Sequence, residues 1–542
     1  MKSKLRLSLL IPAIFLSLMM LVSFSSVMVA ASAEEGGSIV EGLETEPTTL
    51  DLHDSTRSPE HAVLYMIHEP LFVVNRDLEI EPHLVESYEV SDDALTWTFT
   101  VKEGIKFHDG TPLDAEAVKE SMERFMEGAY AWRLDTVEEI RVVDEMTFAF
   151  ELSEPFPTML NHLSNPTTGL VSPTAVEEYG EDYGKQAVVG TGPVKFENWE
   201  SAEEIVLTRY EDYNWGPSYL ENQGPAYPEE WIFRIVPETL TLVGELEKGN
   251  VDFTTYIPEK EKERLEEAEG VSVASLKAPS TAYVAINVQN PPFDEVEVRK
   301  AIAHAINKEA VIKAALAGNA FPAHSMIPSN VEGYWEDGEE LAKEATGYDP
   351  EKAINLLAEA GWEDVDGDRV LERDGEELEA TTFAFTITRY KRMAEVVKPM
   401  LEEVGIKVDL KILEAGDLYE RSEGGEHDLQ VTAWMGQTYA QDFLAIYDSK
   451  NIGDINYSFF ESEEMDQLLE KSKAASSKEE RTEALYESQR VILEKMPSVP
   501  LAHYVDMAGY KSSLVGVDTF VQHPWALTSV VDYTKPLIIR KQ

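Results

Sequence analysis

"TTFAFTITRYKRMAEVVKPMLEEVGIKVDLKIL", residues 381–413, changes its apolar period twice. Residues 381–388 alternate as a strand does. Residues 389–404 carry the spacing of a helix that Gly405 stops, and residues 406–413 return to alternation, with Ile406, Val408, Leu410 and Ile412 on one face. Strand, helix and strand joined by short turns form the β-α-β unit from which helix-covered sheets are built, so at least one domain is of the α/β class. Pro399 lies inside the helix without an amide N–H to give, and is expected to kink or interrupt it.

Working outward, the punctuation stays regular. Asp349-Pro350 supplies an N-cap and a first-turn proline, Ile354 and Leu357 are expected to form the buried stripe, and Gly361 ends that helix. Ser477 and Glu480 have capping-box spacing ahead of a helix whose apolar positions include Leu485 and Ile492. In "LTWTFTVKEGIKFHDGTPLDAEAV" (95–118), Trp97, Phe99 and Val101 share a strand face, Glu103-Gly104 turns the chain, and Asp114 caps a helix. "AVVGTGPVKFENWE" (187–200) raises the question of a phosphate-binding loop. A dinucleotide loop needs a third glycine opening a helix, and a nucleoside triphosphate loop needs Gly-Lys-Ser/Thr; neither is present, and the residues after Pro193 alternate as the first strand of a hairpin. The segment reads as a turn that launches a strand.

The chain has 542 residues and no cysteine, with 46 Lys and Arg against 101 Asp and Glu, a formal net charge of −55. Lys2, Lys4 and Arg6 precede an apolar stretch from Leu7 to Val29 and then Ala31-Ser32-Ala33, the grammar of a secretory signal cleaved after Ala33; an uncleaved membrane anchor is the competing reading. Either way the residues after 34 are expected outside the cytoplasm. Without cysteine there is neither a disulfide nor a residue to carry a lipid, so the fold must rest on a large core. An acidic surface of this strength repels phosphate backbones, which argues against nucleic acid as a partner.

Signatures of catalysis are missing: no His-Glu-x-x-His, no Gly-x-Ser-x-Gly and no thiol. Neither catalytic residue nor cofactor is expected. Asp364, Asp366 and Asp368 alternate like calcium ligands, but Arg369 stands where that loop needs glycine and Gly375 where it needs glutamate, so the stretch reads as an acidic hairpin. The 11 histidines are scattered; His61 and His68, seven apart, are better taken as structural than as metal ligands. "TAWMGQTYAQDF" (432–443) gathers Trp434, Tyr439 and Asp442 around Gly436, which suits either a ligand with an apolar body and a cationic end or plain core packing.

Taken together, "EPLFVVNRDLEIEPHLVESYEVSDDALTWTFTVKEGIKFHDGTPLDAEAV" (69–118), "VVGTGPVKFENW" (188–199), "VAINVQNPPFDEVEVRKAIAHAINKEAVI" (284–312) and "YDPEKAINLLAEAGW" (348–362) resemble the family 5 extracellular solute-binding proteins of ABC importers, the peptide and nickel type. The resemblance implies a two-lobed periplasmic-binding-protein fold, type II and cluster C, with an extra domain and a hinge. Its expected parts are a signal over 1–33, a first lobe from 34–67, 190–283 and 500–542, an extra domain over 68–189, and a second lobe over 284–499. Gly190–Pro193 then resembles the turn by which the chain re-enters the first lobe, and Asn287 the passage into the second.

The resemblance also implies a monomer that delivers a small peptide, held between the lobes, to the permease and ATPase subunits of an importer. A nickel complex or an oligosaccharide is the alternative cargo, and a secreted hydrolase a more distant reading. The loop "DLHDSTRSPEHA" (51–62) matches one wall of the family's cleft and brings in His53 and Arg57; Trp434–Asp442 matches the facing wall. Peptide binders carry Tyr-x-Asp-Pro-Asp there, with an aspartate for the peptide's amino terminus. This chain reads Tyr439-Ala440-Gln441-Asp442, shorter and without the proline, so Asp442 is the nearest counterpart. The expected ligand-binding set is His53, Arg57, Arg389, Trp434, Gln437, Tyr439 and Asp442, with no metal ligand.

Overall fold

The computed structural model describes residues 36–435, 439–475, 477–521, 523 and 534–542. The expected export signal and Gln437 lie outside the described residues. An 11-stranded mixed sheet organises the rest, in the order Lys407–Leu413, Glu379–Phe385, Leu429–Met435, Val271–Ile286, Ser498–Lys511, Phe253–Thr254, Ser38–Leu43, Glu230–Ile235, Glu204–Arg209 and Val194–Glu200, with Ala320–Pro322 pairing separately to Ser498–Lys511. The β-α-β reading of residues 381–413 holds: Glu379–Phe385 and Lys407–Leu413 run parallel, register Glu379 to Lys407, joined by the helix Thr388–Glu403. Pro399 does not interrupt that helix. It sits on the exposed side, opposite buried Met393, Val397 and Leu401, so the carbonyl it leaves unbonded faces water.

Caps fall where the sequence puts them. The side chains of Asp114, Asp349 and Ser477 accept the N–H of Ala117, Lys352 and Glu480 respectively. The stripe of the helix Pro350–Glu359 differs from expectation: Ala353 and Leu357 are buried, while Ile354 is 46% exposed. Four-residue spacing from Leu357 selects Ala353, and the larger side chain one step on is rotated to solvent.

Two of the strands are much longer than the others. Val271–Ile286 and Ser498–Lys511 pair antiparallel from Val271↔Lys511 to Ala285↔Ser498, with a register irregularity between Lys277 and Thr281. Along the second strand, the two halves enter different cores: Ala502 and Tyr504 pack with Val284, Ile302, Phe383 and Leu401, whereas Ala508 and Tyr510 pack with Ile39, Leu207 and Trp231. Asp506 lies between the two groups. The sheet therefore serves two lobes, and the segment boundaries expected at 283/284 and 499/500 fall within this ribbon. An antiparallel sheet, Val85–Val90, Thr96–Val101, Thr147–Leu152 and Val137–Asp144, buries Phe99, Phe148 and Phe150 against Met122 and Phe125 of the helix Ala115–Phe125 in a third core.

Gly190–Pro193 leads into the strand Val194–Glu200 of the large sheet, at a joint where residues of the first and third cores meet. Its glycines serve close approach: a Cβ on Gly190 would stand 2.2 Å from the Ile67 carbonyl oxygen and one on Gly192 2.6 Å from that of Met66. Thr191 donates its hydroxyl to Glu69 at 3.0 Å, and the same buried carboxylate receives Tyr213 Oη at 2.6 Å, Trp215 Nε1 at 3.1 Å and His83 Nε2 at 2.9 Å. His108 donates from Nε2 to the Gly192 carbonyl at 2.8 Å and accepts the Gly190 N–H on Nδ1 at 3.4 Å, which requires a neutral ring. Two further buried imidazoles stand nearby: His53 Nε2 lies 3.1 Å from the Gly169 carbonyl, and His68 Nδ1 3.0 Å from that of Leu64. Burial first, then neighbouring cations, depresses His53 and His108 to about 3; burial depresses His68 to about 4.

This packing makes two demands on stability. Gly190→Ala is expected to cost about 1–3 kcal/mol, because the main chain has no room to yield; denaturant titration reads it. The three imidazoles stay neutral when folded and take up protons near pH 6.5 when unfolded, so the unfolded chain binds more protons below that pH. Their contribution is full above pH 6.5 and is lost as pH falls toward 4. Scanning calorimetry should show the unfolding midpoint dropping steadily across that window; a flat profile would contradict the joint as described.

Candidate functional site

Between the third unit and the second lobe lies a cavity of about 400 Å³, with Trp132, Phe156 and His162 on one wall and Gln441, Asp442, Asp448 and Lys473 on the other. That size suits a short peptide. Direct bonding across the opening is sparse: Asn161 Nδ2 reaches Glu332 Oε2 at 3.4 Å.

Local sequence explains how the second wall is set. The strand Leu429–Met435 ends at Met435, and Ala440, next to Tyr439, donates its N–H to the Glu332 carbonyl at 2.8 Å to start the helix Ala440–Leu444. Gly333 permits this approach, since a Cβ there would lie 2.8 Å from that of Ala440. Trp434 donates Nε1 to the Asp442 backbone carbonyl at 3.0 Å, and Tyr439 is buried under Arg481, whose guanidinium lies 5.5 Å from the ring centre. The structure thus brings Trp434, Tyr439 and Asp442 together, and of the three Asp442 lines the cavity.

Asp442 is the unusual member. Its carboxylate accepts no hydrogen bond from any described residue; burial raises its pKa, and the influence opposing that rise is the positive charge of Arg133. Arg133 comes from the short 3-10 turn Ala131–Leu134 of the third unit. Its guanidinium lies 4.5 Å from the Trp132 ring centre and 5.6 Å from that of Tyr130, and its Nε is buried without a hydrogen-bond partner. Burial lowers its pKa, with Asp442 the first opposing influence, ahead of Tyr65 and Tyr130. No carboxylate lies within 4 Å of it among the described residues. Two opposite charges on half-buried side chains, one from the third unit and one from the second lobe, therefore attract without forming an ion pair.

The remaining expected residues are spread out. Arg389 stands in the first turn of its helix, exposed and away from the cavity lining, with its guanidinium 5.7 Å from the Tyr390 ring and 5.3 Å from that of Tyr504; Tyr390 in turn reaches Met435 Sδ at 4.0 Å. Arg389 is the cation that faces Asp506, whose carboxyl burial pushes up to about 7 against that attraction. Arg57 is exposed at the start of the helix Ser58–Ile67, where Glu60 takes its N–H at 3.2 Å. His53 is not brought to the cavity: 2% exposed, it packs edge-on against Phe125 in the joint. His324 bonds Thr346 Oγ1 at 2.9 Å inside the second lobe. Asp364, Asp366 and Asp368 are exposed and bond the N–H groups of Gly367, Asp368 and Val370, closing their own loop.

Sequence reading misses Arg133, Tyr504 and Asp506. The stretch "YAWRLD" (130–135), an arginine behind an aromatic pair, is the available signal for Arg133. Asp506 carries no local signal, since its meaning comes from lying between two cores.

Comparison with known proteins agrees with this architecture. The family description "Bacterial extracellular solute-binding proteins, family 5 Middle" matches residues 79–454. The glutathione-binding protein GsiB of Salmonella paratyphi A (strain ATCC 9150 / SARB42) is 28% identical over 508 residues, covering 91% of this chain and 94% of that one. The periplasmic binding protein DppA from Helicobacter pylori, solved with the peptide STSA, superposes with a TM-score of 0.70 at 25% identity over 94% of this chain and 98% of that one. NikA from Brucella suis, solved with Fe(III)-EDTA, gives 0.79 at 24% identity over 93% and 100%, a likeness that bears on the fold alone. Two lobes on a shared ribbon, a third unit on the first lobe and a family match across most of the length converge: the chain belongs to the family 5 bacterial extracellular solute-binding proteins.

Proposed function

We propose that this protein captures a short peptide between its lobes outside the cytoplasm and presents it, chemically unchanged, to the permease of an ABC importer. The observation that carries this reading is Asp442, a half-buried carboxylate in the wall of a peptide-sized cavity that accepts no hydrogen bond from any described residue. A desolvated carboxylate with no internal donor is a site for a cation, and a peptide's ammonium is one that fits. In this account Asp442 takes the amino terminus, Trp434 and Tyr439 fix the helix that carries it, Arg389 faces the far end of the guest, and Arg57 lies at the rim. His53 acts through the joint rather than by contact. The relative GsiB is named for glutathione, itself a tripeptide, and DppA was solved with a tetrapeptide, so both cargoes fall in this class.

Closure rests on the same geometry. A guest that bonds both walls stabilises the closed arrangement by the difference between its affinities for the closed and open forms. In differential scanning fluorimetry a panel of tripeptides that includes glutathione should raise the unfolding midpoint; a guest at 100 times its Kd adds about 2.7 kcal/mol. Asp442→Asn should unfold as cooperatively as the parent and lose the shift. A panel without effect on the parent, or an undiminished shift in Asp442→Asn, would contradict the reading.

A further inference from the structure

If Asp442 takes the amino terminus of the guest, the wall that the third unit gives to the cavity has chemistry of its own to account for. Two carboxylates stand on it, Asp135 just after the 3-10 turn Ala131–Leu134 and Glu154 just beyond the strand Thr147–Leu152. Both are exposed, and no cation lies within 4 Å of either among the described residues. The lysines of the lining are already engaged elsewhere: Lys450 and Lys473 lie 3.1 Å and 3.8 Å from the same oxygen of Asp448, and Lys473 also 2.8 Å from Glu470.

Acidic residues are abundant over the whole chain, so their charge alone would say little. What sets these two apart is an aromatic side chain beside each on the same cavity wall, Trp132 three residues before Asp135 and Phe156 two after Glu154. Trp132 is 53% exposed, and the protein itself lays a cation against it, the Arg133 guanidinium 4.5 Å from the ring centre, although Arg133 does not line the cavity. Phe156 stacks on His162 with the ring centres 4.9 Å apart, and that imidazole is neutral, held down to about 3 by burial and then by Arg133, so it adds no positive charge to the wall. Ring faces next to unpaired carboxylates suit a cation on a hydrocarbon stem: the rings cover the methylenes and attract the charge, and the carboxylates neutralise it. The net charge of −55 adds a field that draws such a guest and repels an anionic one.

Resting on the peptide reading above, we propose that this wall reads a second positive charge on the guest: a lysine or arginine side chain lies along Trp132 and Phe156 and shares its cationic head between Asp135 and Glu154, so that basic peptides are the preferred cargo.

The test is a calorimetric titration of the full protein with Ala-Lys-Ala, Ala-Gln-Ala and Ala-Glu-Ala, and with a second series carrying the same three residues at the third position; alanine at the amino terminus keeps the group for Asp442 constant. In at least one series the lysine peptide should bind about tenfold more tightly than its glutamine counterpart, and the glutamate peptide more weakly than either. Asp135→Asn combined with Glu154→Gln should bring the lysine and glutamine affinities together, and Trp132→Leu, which keeps an apolar surface but loses the ring face, should lose part of the preference. Equal affinities for lysine and glutamine in both series would overturn the inference and leave the peptide reading standing, as would a double variant that keeps the full preference. Failure of every peptide in both series and in the tripeptide panel to bind would overturn the two together. The comparison on the unmodified protein holds whether or not the variants fold.

Discussion

Among the described residues, the chain passes between its two lobes only through the antiparallel strands Val271–Ile286 and Ser498–Lys511. A two-stranded ribbon resists stretching along its hydrogen-bonded ladder but bends where the register is disturbed, here between Lys277 and Thr281. The relative position of the lobes is therefore set less by the connection than by what lies in the opening. Little protein bonds across it, and the most prominent groups facing one another there, Arg133 and Asp442, attract without meeting.

Rigidity elsewhere gives this arrangement its use. The third unit is fastened to the first lobe through buried Glu69, which receives four donors, and through His108, which holds the close-packed turn at Gly190 and Gly192 by both ring nitrogens. Arg124 grips Asp51 across the same joint. Arg133 thus belongs to the unit bonded to the first lobe, and Asp442, tied through its backbone to Trp434 and next to the Glu332 bridge, belongs to the second. On the proposed reading, a guest that bridges the two walls draws whole lobes together rather than single side chains.

Much of this is written in local pattern. The change of period across residues 381–413 gives the β-α-β unit, and the caps at Asp114, Asp349 and Ser477 need only a side chain and the backbone three residues on. Asp442 and its aromatic companions are legible because they are close in sequence. Arg133 is not, because the residue that gives it meaning lies 309 positions away in another lobe. Asp506 is invisible for the same reason. His53 shows the converse error: resemblance puts its loop at the cleft, but its ring turns into the joint against Phe125, since a neutral imidazole that satisfies one carbonyl can be buried where a charged group cannot. Ile354 misleads in a simpler way, its hydrophobicity suggesting a buried stripe that the helix's rotation gives to Ala353 instead.

The central claim is that two rigid lobes close on a guest neither holds alone. Small-angle X-ray scattering of the protein with and without a tight-binding peptide measures it directly. The account predicts a smaller radius of gyration in the bound state, a contraction that Asp442→Asn does not show. An envelope that stays the same when a guest of proven affinity is bound would contradict it.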